Sequence, residues 1–79
     1  MKVMLFIASV SHRHGFGAIG GGPTRDDALN ALWTWCDQFW ESDMLFDIEK
    51  PADRDACIKA YFEHVISEQY DISEIEVEI

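Results

Sequence analysis

The sequence predicts an α+β fold: a small, mostly antiparallel sheet of two or three strands, N-terminal strand paired with C-terminal strand, and two helices packed on one face. Three observations carry this expectation. The chain opens on a nearly continuous apolar run, Met1 to Val10, and closes on a strict alternation of Ile75, Val77 and Ile79 with Glu74, Glu76 and Glu78. Between them lie two stretches with helical spacing of apolar residues, opened by Thr24 and Pro51. Strand, weak strand, helix, helix, strand is the order of an α+β two-layer domain with its helices on one side.

The first run, MKVMLFIASV, is apolar on both parities, with Val3, Leu5 and Ile7 on one side and Met4, Phe6, Ala8 and Val10 on the other. Such a strand is central, or its second face is covered by the acidic linker or by a partner. Ser11 to Pro23 carries all five glycines, so Gly15 and Gly17 predict a turn and Phe16 to Ile19 a short, weak second strand. The Gly20-Gly21-Gly22-Pro23 run is expected to break it.

The organising element is the first helix, within Thr24 to Glu41. Thr24 is the N-cap candidate and Asp27 stands three residues on, where a capping box needs its acid. On a helical wheel the apolar residues from Ala28 to Trp40 spread over roughly 200°, twice the stripe that one contact requires. Trp35, Phe39, Leu32 and Ala28 are therefore expected under the sheet, and Cys36 and Leu29 against the second helix. Trp33 and Trp40 are left at the edge as spare aromatic surface.

Ser42 to Lys50 has no clear period and reads as an ordered acidic connection. Pro51 suits the first turn of a second helix running to about Val65, with Cys57, Ile58, Tyr61, Phe62, Val65 and Ile66 buried and Lys59 and Glu63 outside. In the closing strand Tyr70 and Ile72 have the opposite parity to Ile75 and Val77, which predicts a bend or bulge near Ser73. The isoleucine row is expected in the core, and the glutamate row in water.

Composition bounds the function. The 79 residues, 48% of them hydrophobic, make a single domain, 1–79. Six Lys and Arg against 15 Asp and Glu leave a formal charge of −9, which repels nucleic-acid phosphates and anionic membranes and favours a basic protein partner. With no signal-like segment and no apolar run near 18 residues, the expected location is the cytoplasm of a host cell. Cys36 and Cys57 fall on apolar helix faces and read as reduced core residues, a disulfide or reactive thiol being the alternative.

Chemistry-bearing patterns are sparse. Gly15 to Gly20 matches GxGxxG, but four residues intervene before the helix, Asp37 falls inside a helix, and no βαβ unit follows. No cofactor is therefore expected. His12 and His14 flank Arg13 and could share one side of a strand end, yet no third ligand is spaced to close a metal site; a polar turn is the simpler reading. The carboxylates sit where caps and a solvated strand face account for them, so no catalytic residue is named and the protein is read as non-enzymatic. What exceeds structural need is acidity in two clusters: Glu68, Asp71, Glu74, Glu76 and Glu78, and Asp43, Asp47, Glu49, Asp53 and Asp55. Glu68, Asp71, Glu74, Glu76, Glu78, Asp43 and Asp47, with Trp33 and Trp40 as aromatic anchors, are the candidate partner-binding residues.

The apolar strand running into His12-Arg13-His14-Gly15, the Thr24-capped helix rich in Ala, Leu and Trp, Tyr61-Phe62-Glu63, and Glu68-Gln69-Tyr70 leading into a Glu-alternating strand resemble small acidic proteins of phages and mobile elements. Among these the chain is similar to anti-CRISPR inhibitors of type I systems, type I-C among them. The resemblance implies a non-enzymatic inhibitor that binds the basic nucleic-acid-binding surface of a Cascade-type surveillance complex and blocks target DNA. The other class of function expected is a small homodimeric assembly module, using the wide face of the first helix or an open sheet edge. Either way the chain is a monomer or weak homodimer.

Overall fold

The structure is a computed structural model describing residues 1–12, 15–40 and 48–78, with only the backbone described at His12. The elements are β1 (Lys2–His12), β2 (Gly15–Gly22), α1 (Arg25–Phe39), α2 (Arg54–His64) and β3 (Gln69–Glu78). They form a three-stranded antiparallel sheet of order β2-β1-β3, with the helices on one face. β1 is the central strand, one of the two places the sequence predicts for it. Its pairing with β3 is also the predicted one.

The β1–β3 ladder runs without interruption from Lys2 opposite Glu78 to Ser11 opposite Gln69. Residues directly opposite in an antiparallel pair share a face. Phe6, Ala8 and Val10 therefore share the helix-side face with Ile72 and Tyr70, and Ala8 and Val10 are fully buried there. Val3, Leu5 and Ile7 share the other face with Val77, Ile75 and Ser73. Two expectations are thereby corrected. There is no bulge near Ser73, because the opposite parities of Ile72 and Ile75 are used by two different faces. The Ile75 and Val77 row lies on the face away from the helices, outside the core cluster, and Ile75 is 44% exposed.

The irregularity is in β2 instead. The register with β1 shifts between Ala8 and Ser9, leaving Ile19 as the extra residue, and Ile19 packs against the core. The strand does not stop at Ile19 as expected but continues through Gly22, opposite Phe6. Close approach explains these glycines. A Cβ at Gly20 would lie 2.9 Å from the Ala31 Cβ of α1, and one at Gly21 would strike the Phe6 carbonyl oxygen. The GxGxxG pattern is thus ladder backbone beneath a helix, not a phosphate loop.

α1 is started by the predicted capping box. The Thr24 N–H donates to Asp27 Oδ2 at 3.0 Å, and the Asp27 N–H donates to Thr24 Oγ1 at 3.3 Å. Asp26 and Asp27 also sit in the first turn, where the helix dipole favours acids. α2 begins three residues later than Pro51 implies, at Arg54. Its N-cap is Asp53, whose Oδ2 accepts from the Ala56 N–H at 2.9 Å. Side-chain capping outweighs the proline signal because it satisfies an otherwise orphaned amide. Arg54 then clips the helices together, donating to Asn30 Oδ1 at 3.2 Å and Asp26 Oδ1 at 3.1 Å.

The core is built from Ala8, Val10, Ala28, Leu32, Cys36, Trp40, Cys57, Ile58, Tyr61 and Val65. α1 lies over β2 and β1, and α2 packs on α1 and reaches the sheet through Phe62, whose ring centroid is 4.7 Å from that of Tyr70. Trp40 is not an edge residue: it is 5% exposed, with its ring 6.3 Å from Tyr61. The helix ends there, so its last aromatic is enclosed by α2. Ile66 leaves the expected buried set at 85% exposure, because α2 terminates at His64 and the chain turns.

Candidate functional site

Because β2 pairs with β1 only as far as Phe6, the segments Lys2–Leu5 and Ile75–Glu78 continue as a two-stranded ribbon. At about 3.4 Å per residue it projects roughly 13 Å past the last rung of β2. The molecule is correspondingly long, 48 × 28 × 16 Å. Glu74, Glu76 and Glu78 lie on one face of β3, opposite Phe6, Met4 and Lys2, with carboxylates about 7 Å apart along the strand. All three are exposed. Lys2 Nζ sits 3.5 Å from Glu76 Oε1, so one cation on the neighbouring strand offsets part of the row. On the reverse face Ile75 and Val77 pair with Leu5 and Val3.

The sequence-predicted site residues separate into groups. Glu74, Glu76 and Glu78 come together on the ribbon. Asp71 lies on the reverse face, opposite Ser9, and accepts from the Ser73 hydroxyl at 3.1 Å. Glu68 is half-buried instead: its Oε1 accepts from the Trp35 indole N–H at 3.1 Å and from the Tyr61 hydroxyl at 2.9 Å. Asp43 and Asp47 lie outside the described residues, as do Arg13 and His14 and the side chain of His12. From the second acidic cluster, Asp53 is the α2 cap and Asp55 accepts from Arg54.

Of the two tryptophans, Trp40 is in the core and Trp33 is 38% exposed, beside Thr34 and Asp37 on α1. Sequence reasoning missed the apolar half of the ribbon, Val3, Leu5, Ile75 and Val77. Their alternation was visible, and the signal needed was the short reach of β2.

No family model, curated protein or solved structure matches this chain. The site must therefore be judged on its chemistry. Among the described residues there is no group of three or more His, Cys, Asp or Glu placed to hold a metal ion, and no helix long and apolar enough to cross a membrane. Cys36 and Cys57 are free and fully buried. Burial pushes the Cys36 thiol up to about 12, with Cys57 and Glu68 adding to the effect. Burial also raises Cys57 against the opposing pull of Lys50. Both thiols are protonated at neutral pH and unsuited to nucleophilic work. What the ribbon offers is a line of negative charge with an apolar reverse side.

Proposed function

We propose that the protein is a non-enzymatic inhibitor that lays its acidic ribbon on a basic nucleic-acid-binding surface, that of a type I CRISPR surveillance complex, and so keeps target DNA out. The observation that carries this reading is the row of Glu74, Glu76 and Glu78 on a projecting ribbon, all three exposed, with Lys2 paired to Glu76. Carboxylates about 7 Å apart match the spacing of phosphates along one strand of nucleic acid, for which a basic groove is built. Such complementarity sets encounter rate and orientation, while Met4, exposed on the same face opposite Glu76, supplies desolvated apolar contact.

The test is a binding competition with a purified type I-C Cascade and labelled target DNA. The protein is expected to co-elute with the complex and abolish the DNA shift. Replacing Glu74, Glu76 and Glu78 together by Lys should restore the shift. Failure to co-elute, or undiminished DNA binding in the presence of excess protein, sinks the reading.

A second reading, a homodimeric assembly module, is favoured by one specific observation. Val3, Leu5, Ile7, Ile75 and Val77 form an apolar row on the sheet face opposite the helices. A molar mass that doubles with concentration in light scattering would support it, and a strict monomer at high concentration would remove it.

A further inference from the structure

The sheet has two outer edges, and they differ. β2 is an eight-residue edge rich in glycine, with the register shift at Ile19. Glycine gives a neighbouring strand no side chains to pair with, and a bulge turns the edge away from continued pairing. β3 is a ten-residue edge, Gln69–Glu78, without Gly or Pro and with an unbroken register to β1. Its outward amides and carbonyls form a regular template.

We propose that the β3 edge is a strand-addition site for an extended partner segment in which Lys or Arg alternates with apolar residues. The inference rests on the proposed basic partner and states how that partner is gripped. A strand added beside β3 places every second side chain about 5 Å from its neighbour on the same face. On the face carrying Glu74, Glu76 and Glu78, cations at i, i+2 and i+4 are favoured and acids are repelled. On the other face the intervening side chains extend the apolar surface of Ile75 and Val77. Lys2 already shows this geometry from the inner side: it lies on the strand next to β3 and reaches Glu76 diagonally at 3.5 Å. The backbone ladder supplies affinity, and the glutamate row selects the sequence and register.

The test uses the intact protein, labelled with ¹⁵N, and a blocked peptide, Lys-Val-Lys-Val-Lys-Val-Lys. A peptide of identical composition but permuted order, Lys-Lys-Val-Val-Lys-Lys-Val, serves as comparison. The alternating peptide is expected to slow hydrogen exchange of alternate amides within Gln69–Glu78 at least tenfold and to bind at least tenfold more tightly than the permuted one. Equal binding of the two peptides, or protection confined to other elements, overturns strand addition and leaves only diffuse charge attraction. The Glu74→Lys, Glu76→Lys, Glu78→Lys variant, checked for folding by circular dichroism, should lose the alternating Lys-Val peptide and gain an alternating Glu-Val one. Protection of β3 by the peptide without any effect on the Cascade complex would reject the inhibitor reading alone. Inhibition of the complex without peptide protection of β3 would reject strand addition alone.

Discussion

Trp35 of α1 donates its indole N–H to Glu68, 33 residues further along, at 3.1 Å, and the same carboxylate oxygen accepts the buried Tyr61 hydroxyl of α2 at 2.9 Å. One acid at the turn before β3 therefore ties both helices to the start of that strand. Hydrogen bonds to a charged acceptor are among the stronger ones, and the Tyr61 side chain that donates one of them is fully buried. Glu68→Ala is expected to lower unfolding free energy by about 2–4 kcal/mol, and Glu68→Gln by about 1 kcal/mol because an amide oxygen still accepts. Urea denaturation followed by tryptophan fluorescence reads both values. A Glu68→Ala protein within about 0.5 kcal/mol of the parent would show that the carboxylate is dispensable.

The glycines of β2 should divide sharply by position. Gly21→Ala drives a methyl into the Phe6 carbonyl, whereas a Cβ at Gly17 meets nothing within 4 Å. The first substitution is expected to cost about 3 kcal/mol or more, since strand backbone cannot move aside without breaking the ladder. The second should be neutral or stabilising by up to about 1 kcal/mol through the unfolded chain. Thermal unfolding of the two variants separates them, and similar melting temperatures would contradict the close approach of β2 and β1.

How much of this was legible depended on the range of the interaction. The Thr24–Asp27 box spans three residues and could be read directly. So could the pairing of the two long apolar strands. The parity of β3 could not, because alternation reveals two faces but not which one the helices cover. α1, at 15 residues and 1.5 Å per residue, is about 22 Å long, while β1, at 11 residues, is about 36 Å. The helical layer therefore covers Ala8, Val10 and Ile72 and leaves the ribbon beyond, so one strand changes its apolar face without a bulge. Glu68 reads in sequence as one of the acidic cluster for a similar reason: its two donors lie on α1 and α2, brought to it only by the fold. A helical wheel puts Trp40 at the edge because it carries no information on where the helix ends.

The capping box gives a local test independent of the sheet. Thr24→Ala removes the Oγ1 that accepts the Asp27 amide and should destabilise the protein by about 1 kcal/mol. Thr24→Ser keeps the oxygen and should lie within about 0.5 kcal/mol of the parent. Equal losses in chemical denaturation for the two variants would place the effect in the threonine methyl and not in the cap.

The buried thiols predict how stability responds to alkali. Burial is the first cause of the raised Cys36 pKa, which moves from an ordinary 9.0 to about 12, and Cys57 is raised in the same direction. In the window between those values the folded protein holds a proton that the unfolded chain releases, so the native state binds more protons. For Cys36, stability from this source is complete below about pH 9 and declines as pH rises toward 12, by up to about 1.4 kcal/mol per pH unit, and Cys57 acts in the same direction. Cys36→Ala is expected to lose some packing at pH 7 but to show a shallower decline between pH 9 and 11, since a methyl cannot ionise. Urea midpoints measured across that range for both proteins isolate the thiol from tyrosine and lysine titration common to the two. Superimposable slopes would mean that the Cys36 thiolate is tolerated in the core.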